Sequence, residues 1–492
     1  MDNQNISKKR MISGLGWAYG ERITAQTVSF IVSIILARLL DPEHYGTVAL
    51  VTVFISVLNA LVTGGFGNAL VQKKDATEKD FNTICWFSIA VSLLLYLVLF
   101  LCSPLIANFY NMEILSSITK VMGFRIVISA FNSIQHAYVQ RTMQFKKFFF
   151  STLGGTIVSA VVGIVLAYLG FGVWALVAQY MTNSVIDTIV LLITIEWRPV
   201  FEFSKESFSS LFSYGIKMLG ATVINTLQIN VRSLIIGKVF SAEDLAYYNR
   251  GQQFPSLLME NVIGSMQKVL LPGLAKQQTE IDELKQTMRQ SVRLSSFILI
   301  PAIIGLMAVS KNFILLLLTE KWISAVPYLC ILSLVYIARP LNMVFQSGLL
   351  AIGKSECNLV HEVVCSIASI VLVVLSAFIL KNVRLVAWSY VAVMILGTFI
   401  FGYYVIMHIG YSLSEMIRDY CPYFFSALFM GVIVYSVYLI KLPTLISLIV
   451  QILIGTGVYV GIAKMFRFKE LAIVSNIIKS MYKRIHKGRS TQ

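Results

Sequence analysis

The chain has 492 residues, of which 57% are hydrophobic and 13% charged, with a formal net charge of +16. Soluble domains carry roughly 25% charged residues, so this balance excludes a soluble globular protein and predicts an all-α integral membrane protein. Most of the positive charge lies between apolar stretches and in the tail from Lys464 to Arg489. That is the positive-inside pattern together with contact to anionic membrane lipids, and it argues against nucleic acid as a partner.

Apolar runs long enough to cross ~30 Å of hydrocarbon recur about fourteen times. The first, near residues 13 to 39, follows Lys8, Lys9 and Arg10 and is too long for a signal-peptide core; without a small-residue cleavage site it reads as a retained span. The others lie near residues 45 to 71, 81 to 104, 114 to 139, 148 to 170, 172 to 195, 208 to 238, 244 to 271, 294 to 318, 325 to 350, 358 to 380, 385 to 409, 418 to 440 and 444 to 465. Gly64, Gly65 and Gly67 in the second span, and Pro255, Pro301 and Pro340 in the eighth, ninth and tenth, interrupt the helical ladder and permit bending. The longest hydrophilic piece, Gln277 to Arg293, spaces Ile281, Leu284, Met288 and Val292 as an amphipathic helix and is expected on the inner membrane surface.

Lys and Arg concentrate in alternate loops, with Lys73, Lys74 and Lys79 in one and Lys276, Lys285, Arg289 and Arg293 in another, while the intervening loops are short and poor in them. Both termini are therefore expected in the cytoplasm, with an even number of spans. Trp17, Trp86 and Trp197 fall at predicted inner ends, and Trp174, Trp322 and Trp388 at outer ends, as indole rings at the interfaces should. The six cysteines have no metal spacing and read as small hydrophobes, and the five histidines stand isolated.

A shift of about 200 residues aligns the stretch Ile35 to Glu43 with Ile235 to Glu243, each ending a span with a cation before a short turn containing Glu. Arg125 precedes Arg141 by 16 residues and Arg339 precedes Lys354 by 15, so the repeat covers six spans. An even number of spans per repeat relates the halves by a pseudo-twofold along the membrane normal, one of the recurring transporter plans. The expected organisation is an N-lobe over 1–200 and a C-lobe over 201–412 around a central cavity, then two lipid-facing helices over 413–468 and a basic cytoplasmic tail over 469–492.

A guanidinium at bilayer depth costs at least ~2.5–3.5 kcal/mol and persists where it faces a protein interior or a wet cavity. Arg22, Arg125, Lys217, Arg232, Arg250 and Arg339 sit deep inside or at the ends of the spans, and together they suggest a cationic interior built to hold an anion. Arg22 and Lys217 lie ~12–15 Å from the inner end, and Arg125 and Arg339 near mid-depth in equivalent helices. Near the outer end Arg38, Arg232 and Lys238 can also snorkel to water. The bland alternative for the deep cations is a set of structural ion pairs with Glu21, Asp187 or Glu260, and these three acids are also the candidates for ion coupling.

Gly348 to Ser355 satisfies the Walker A pattern, but it lies between two spans and lacks the strand and soluble sheet that a phosphate loop needs. No nucleotide, metal or other cofactor is expected, and no motif of a hydrolase or metalloenzyme is found. The absence of a long outer loop argues against a polymerase or ligase of membrane-linked glycans.

The stretch Leu36-Ala37-Arg38-Leu39-Leu40-Asp41-Pro42-Glu43-His44-Tyr45-Gly46, the run Gly65 to Lys73 and the segment Arg232 to Tyr248 resemble the polysaccharide transporter family. These are the Wzx-type oligosaccharide flippases of the multidrug/oligosaccharidyl-lipid/polysaccharide exporter superfamily. The resemblance implies a bacterial inner-membrane protein that moves undecaprenyl-pyrophosphate-linked oligosaccharide to the outer leaflet for O-antigen, capsule or related polymers, alongside polysaccharide polymerase and assembly proteins. The runner-up is a multidrug or organic-solute antiporter of the same superfamily, whose frequent preference for cations sits poorly with a cation-rich interior.

Overall fold

The computed structural model describes residues 20, 24–440, 442–476 and 479, apart from the side chains of Ser213, Tyr214, Lys217, Ala221 and Asn261. The described residues are helical and contain no strand, because in hydrocarbon every backbone N–H and C=O must be satisfied within its own segment. In chain order the helices are α1 (Thr24–Leu39), α2 (Pro42–Thr63), α3 (Phe66–Gln72), α4 (Glu78–Tyr110), α5 (Ile114–Gly123), α6 (Arg125–Arg141), α7 (Phe145–Tyr168), α8 (Val173–Thr194) and α9 (Lys205–Val239). They continue with α10 (Ala242–Ala275), α11 (Ile281–Leu318), α12 (Val326–Ile337), α13 (Arg339–Ala351), α14 (Ser355–Val374), α15 (Val383–Ile409), α16 (Leu413–Tyr438) and α17 (Thr444–Met465). A 3₁₀ segment, Glu320–Ala325, leads into α12, and a π-helical turn, Leu375–Ile379, ends α14.

Twelve of these segments are long and apolar enough to cross a membrane among the described residues. The two expected spans outside that set are α1, whose described part is short, and α10, which carries Glu243, Asp244, Arg250, Glu260 and Lys268. With them, each of the fourteen sequence-predicted spans has its helix. Rows of exposed large side chains such as Leu94, Leu97, Leu101 and Leu105 on α4 are the lipid-facing surface of such a protein.

The chain forms two compact units, Met1–Ala246 and Tyr247–Gln492. Residues 201–246, grouped by the sequence period with the second lobe, pack within the first unit, where α9 lies against α2, α3 and α4. Glycines permit that approach. A Cβ on Gly65 would come within 2.1 Å of the Gly215 carbonyl oxygen, and one on Gly237 within 2.1 Å of Leu50. Gly64 and Gly65 also separate α2 from α3, so the sequence-predicted break in the second span exists.

The core of the first unit gathers Phe66, Leu70, Phe81, Ile84, Ile134, Leu191 and Trp197. Trp197 is 2% exposed, stacks near Phe131 and Tyr138, and donates its indole N–H to Asn82 Oδ1 at 3.1 Å. Trp322 is also fully buried. For these two the interface reading of the indoles is corrected: they stand at span ends but pack against protein, with Trp197 pairing its N–H internally as a buried Trp must.

The α3–α4 connection is held by side chains. Asp80 accepts from the Thr77 backbone N–H at 2.9 Å and from Lys73 Nζ at 2.8 Å. From α6, Arg141 donates to the carbonyls of Leu70, Val71, Lys73 and Lys74, satisfying the acceptors left over where α3 ends. Arg141→Gln should therefore lower the melting midpoint and the level of protein in the membrane, at a cost of about 2 kcal/mol for charged hydrogen bonds. Arg141→Lys should recover part of the loss. A wild-type midpoint for Arg141→Gln would remove the clamp from the fold's stability.

In the second unit α11 runs unbroken through Pro301, and its start corrects the expectation for Gln277 to Arg293. Leu284, Met288 and Val292 are fully buried, so this stripe packs on protein and does not lie on the membrane surface. Beside it, Lys285, Arg289 and Arg293 face the start of α16. Glu415 receives Lys285 Nζ at 2.8 Å and Arg289 Nη1 at 2.9 Å. Asp419, only 2% exposed, receives Arg289 Nε at 2.6 Å and the Tyr411 hydroxyl at 2.9 Å, and pairs with the Arg293 guanidinium, whose Nε lies 2.8 Å away.

Higher up, Phe297, Ile300 and Ile304 of α11 pack on Tyr423, Ala427 and Met430 of α16 and on Tyr459 of α17. Asn312 Nδ2 donates to Ser447 Oγ at 2.8 Å and Gln451 Oε1 at 3.0 Å, and Gln451 Nε2 donates to the Val434 carbonyl at 3.1 Å. The α16–α17 pair is therefore not apolar toward lipid on every side, as its sequence suggested: one face is tied to α11.

Candidate functional site

Two spans of this protein are broken at the same point relative to a cation. In the first unit the ladder is interrupted at Phe124, between α5 and α6, and Arg125 is the first residue of the second half. In the second unit it is interrupted at Ala338, between α12 and α13, and Arg339 is the first residue of the second half, followed by Pro340. Proline fits there because the N–H it lacks has no intrahelical partner in a first turn. Of the three sequence-predicted proline interruptions only Pro340 coincides with a break; α10 and α11 pass through Pro255 and Pro301.

Arg125 is half-buried. Its Nε donates to Ser184 Oγ at 3.0 Å, and the guanidinium lies 5.3 Å from the centre of the Tyr180 ring. Among the described residues no carboxylate comes within ion-pairing distance of it. Asp187, one turn beyond Ser184 on α8, is engaged elsewhere: its Oδ2 accepts from Asn132 Nδ2 at 3.0 Å and lies 3.2 Å from His136 Nε2. His136, which stands isolated in the sequence, thus has the acid 51 residues away as its partner. The result is a polar seam between α6 and α8 in which neutral groups hold the cation and a His–amide pair holds the acid.

Arg339 is exposed, and among the described residues no carboxylate lies within ion-pairing distance of it. Arg250 is different. It is 6% exposed, with its guanidinium 5.2 Å from the centre of the Trp322 ring and Nη1 at 2.5 Å from Gln253 Oε1, an arrangement that stabilises a buried cation through a π face. Arg232 is half-buried on α9, and the Lys238 ammonium reaches the Phe109 carbonyl and sits 4.2 Å from that ring's centre, as a snorkelling cation at a helix end does. Glu21, Arg22 and the side chain of Lys217 lie outside the described residues.

These helices, with two spans broken beside a cation, make up an all-helical membrane fold. The solved structure "Lipid II flippase MurJ, inward closed conformation" has the same fold, with a TM-score of 0.72 over 91% of this chain and 98% of that one at 15% identity. A family model described as polysaccharide biosynthesis protein matches residues 35–327, and the chain belongs to that family. Among curated relatives, the teichuronic acid biosynthesis protein TuaB of Bacillus subtilis (strain 168) is 25% identical over 87% of this chain and 89% of its own length. The lipopolysaccharide biosynthesis protein WzxC of Escherichia coli (strain K12) is 24% identical over 71% of this chain and 72% of its own.

Sequence reading did not find Tyr180, Ser184, Asn132 or His136. Their signal was present as a stripe: Tyr180, Ser184, Asp187 and Thr188 share one face of α8 by the i, i+4 and i+7 spacing, and Asn132 and His136 share one face of α6.

Proposed function

We propose that this protein is a flippase that translocates undecaprenyl-pyrophosphate-linked oligosaccharide across the bacterial inner membrane by alternating access, for synthesis of a surface polysaccharide. The observation that carries the reading is the paired placement of Arg125 and Arg339 at the helix breaks of corresponding spans, with Arg125 free of any acidic partner among the described residues. An arginine fork offers parallel N–H donors to a pyrophosphate, and the start of a half-helix adds unsatisfied backbone N–H groups and a positive dipole end.

In this reading residues 1–200 and 201–412 act as two six-span lobes, with both termini cytoplasmic. Arg22, Lys217, Arg232 and Arg250 extend the positive field around the anion, and Glu21, Asp187 and Glu260 are the acids available for ion coupling. The lipid tail has a place in the second unit. An apolar cleft of about 380 Å³, walled by α11, α16 and α17 and lined by residues such as Leu306, Val309, Met430, Val434 and Ile452, suits a polyprenyl chain. Polysaccharide polymerase and assembly proteins are the partners that would take up the product.

The test is reconstitution in liposomes with a fluorescent undecaprenyl-pyrophosphate oligosaccharide added to one leaflet. The expected result is protein-dependent appearance of the sugar at the other leaflet, where a membrane-impermeant lectin reads it. Export of cationic dyes without movement of the glycan would replace this reading with that of a multidrug antiporter.

A further inference from the structure

A second basic site stands at the end of the second unit where α11 and α16 begin and α17 ends. A hollow of about 360 Å³ is lined there by five cations, Arg289, Arg293, Arg418, Arg467 and Lys469, and by two carboxylates, Asp419 and Glu470. Asp419 is already engaged by Arg289, Arg293 and the Tyr411 hydroxyl, and Glu470 is buried, only 7% exposed. Arg418, Arg467 and Lys469 are exposed and have no carboxylate within ion-pairing distance among the described residues. The hollow therefore carries an uncompensated charge of three, held on rigid elements: Ser412 caps α16 through Glu415, and Arg467 sits in the left-handed backbone region with φ 53° where α17 ends.

What adjoins this hollow selects the ligand. Arg467, Phe468 and Lys469 also line a second space of about 620 Å³, whose other walls are Val460, Ala463, Lys464, Leu471, Ala472 and Ser475. Exposed Met465 and Phe466 lie beside it. A cationic hollow opening onto a space with one apolar wall, Val460, Ala463, Phe468, Leu471 and Ala472, and a further cation, Lys464, matches an amphiphile with a phosphate head and a hydrocarbon chain. We propose that this is a binding site for a phosphodiester headgroup, occupied by an anionic phospholipid of the leaflet at this end of the second unit. Arg418, Arg467 and Lys469 grip the phosphate, and the acyl chain lies along Phe468 and Leu471. The site shares only Val460 with the polyprenyl cleft and includes neither Arg125 nor Arg339, and its test does not depend on glycan transport.

The experiment measures the melting midpoint of purified protein in neutral detergent while phosphatidylglycerol, phosphatidylcholine or inorganic phosphate is titrated in. It compares wild type with a triple variant, Arg418→Gln, Arg467→Gln and Lys469→Gln, and with a control, Lys74→Gln and Lys205→Gln, that removes exposed cations elsewhere. Wild type and control should be stabilised by phosphatidylglycerol and not by phosphatidylcholine. In the triple variant the half-saturating phosphatidylglycerol concentration should rise on the order of a hundredfold, since each cation near an anionic surface contributes about fivefold. An unchanged midpoint without lipid shows that the triple variant folds; should it melt lower, Arg467→Gln alone supplies the comparison, with an expected loss of about fivefold. Equal stabilisation of triple variant and wild type by phosphatidylglycerol overturns the site. Stabilisation of wild type by millimolar inorganic phosphate to the same extent overturns the lipid assignment and makes this a free-phosphate site.

Discussion

Glycan export should be abolished or nearly so in cells that lack their native flippase and carry the Arg125→Gln, Arg339→Gln double variant, while the protein reaches the membrane at the wild-type level. Each single Arg→Lys variant should retain partial export, because charge is kept while the planar fork is lost. The structural basis for expecting normal accumulation is that Arg125 is held by Ser184 Oγ and the Tyr180 ring, with no acid bound to it among the described residues. Its removal leaves no buried carboxylate stranded. A structural ion pair makes the opposite forecast, since breaking one leaves an unpaired buried charge that costs ~3–5 kcal/mol. Comparing the protein level on an immunoblot with surface glycan separates the two, and wild-type export by the double variant would remove both residues from the mechanism.

Asp419→Leu should be the most damaging single change to the fold. It takes both acceptors from the Arg289 fork, the acceptor from the Tyr411 hydroxyl and the ion-pair partner from Arg293 at once, and buried pairs broken on one side cost ~3–5 kcal/mol. The lower end of that range is expected here. Arg289 keeps Glu415 as a partner, and the two arginines remain 22% and 32% exposed, so solvent screens part of the loss. The melting midpoint and the fraction of protein that survives detergent extraction report the effect. Adding Arg293→Met to Asp419→Leu should restore part of the stability by removing the cation left without its acid. If the double variant is no more stable than the single one, stranded charge is not what unfolds it.

The spans were legible from sequence because hydrocarbon imposes a length and forbids unpaired backbone, so hydropathy alone marks them. The break before Arg339 was marked by Pro340, but the one before Arg125 was not legible, since apolar sequence runs across Phe124 without interruption and a continuous helix satisfies the same pattern. The misreading of Gln277 to Arg293 has a similar origin. A stripe of Leu284, Met288 and Val292 looks the same whether it will meet lipid headgroups or protein, and only Glu415 and Asp419, more than 120 residues on, decide it. Trp197 and Trp322 mark span ends in sequence for a reason other than the one first assigned to them, because a large ring with one N–H can equally fill a core corner. Among the candidate site residues, Arg125 and Arg339 were found because charge in an apolar run is conspicuous. Tyr180, Ser184 and Asn132 were missed because neutral polar residues are common in membrane helices and acquire meaning only when two faces meet.

In a bilayer an apolar side chain gains little by leaving lipid for protein, so the contact of α16 and α17 with α11 has a flat energy along the helix axis wherever it is made by Leu, Ile, Val and Met alone. Sliding by one turn, ~5.4 Å, would exchange one set of methyl contacts for another. The Asn312, Ser447 and Gln451 triad turns that flat profile into a notch. With the Arg289 and Arg293 pairs to Glu415 and Asp419 at the other end of α11, it sets the height at which the hairpin docks, and with it the level at which the apolar cleft and the basic hollow stand in the membrane.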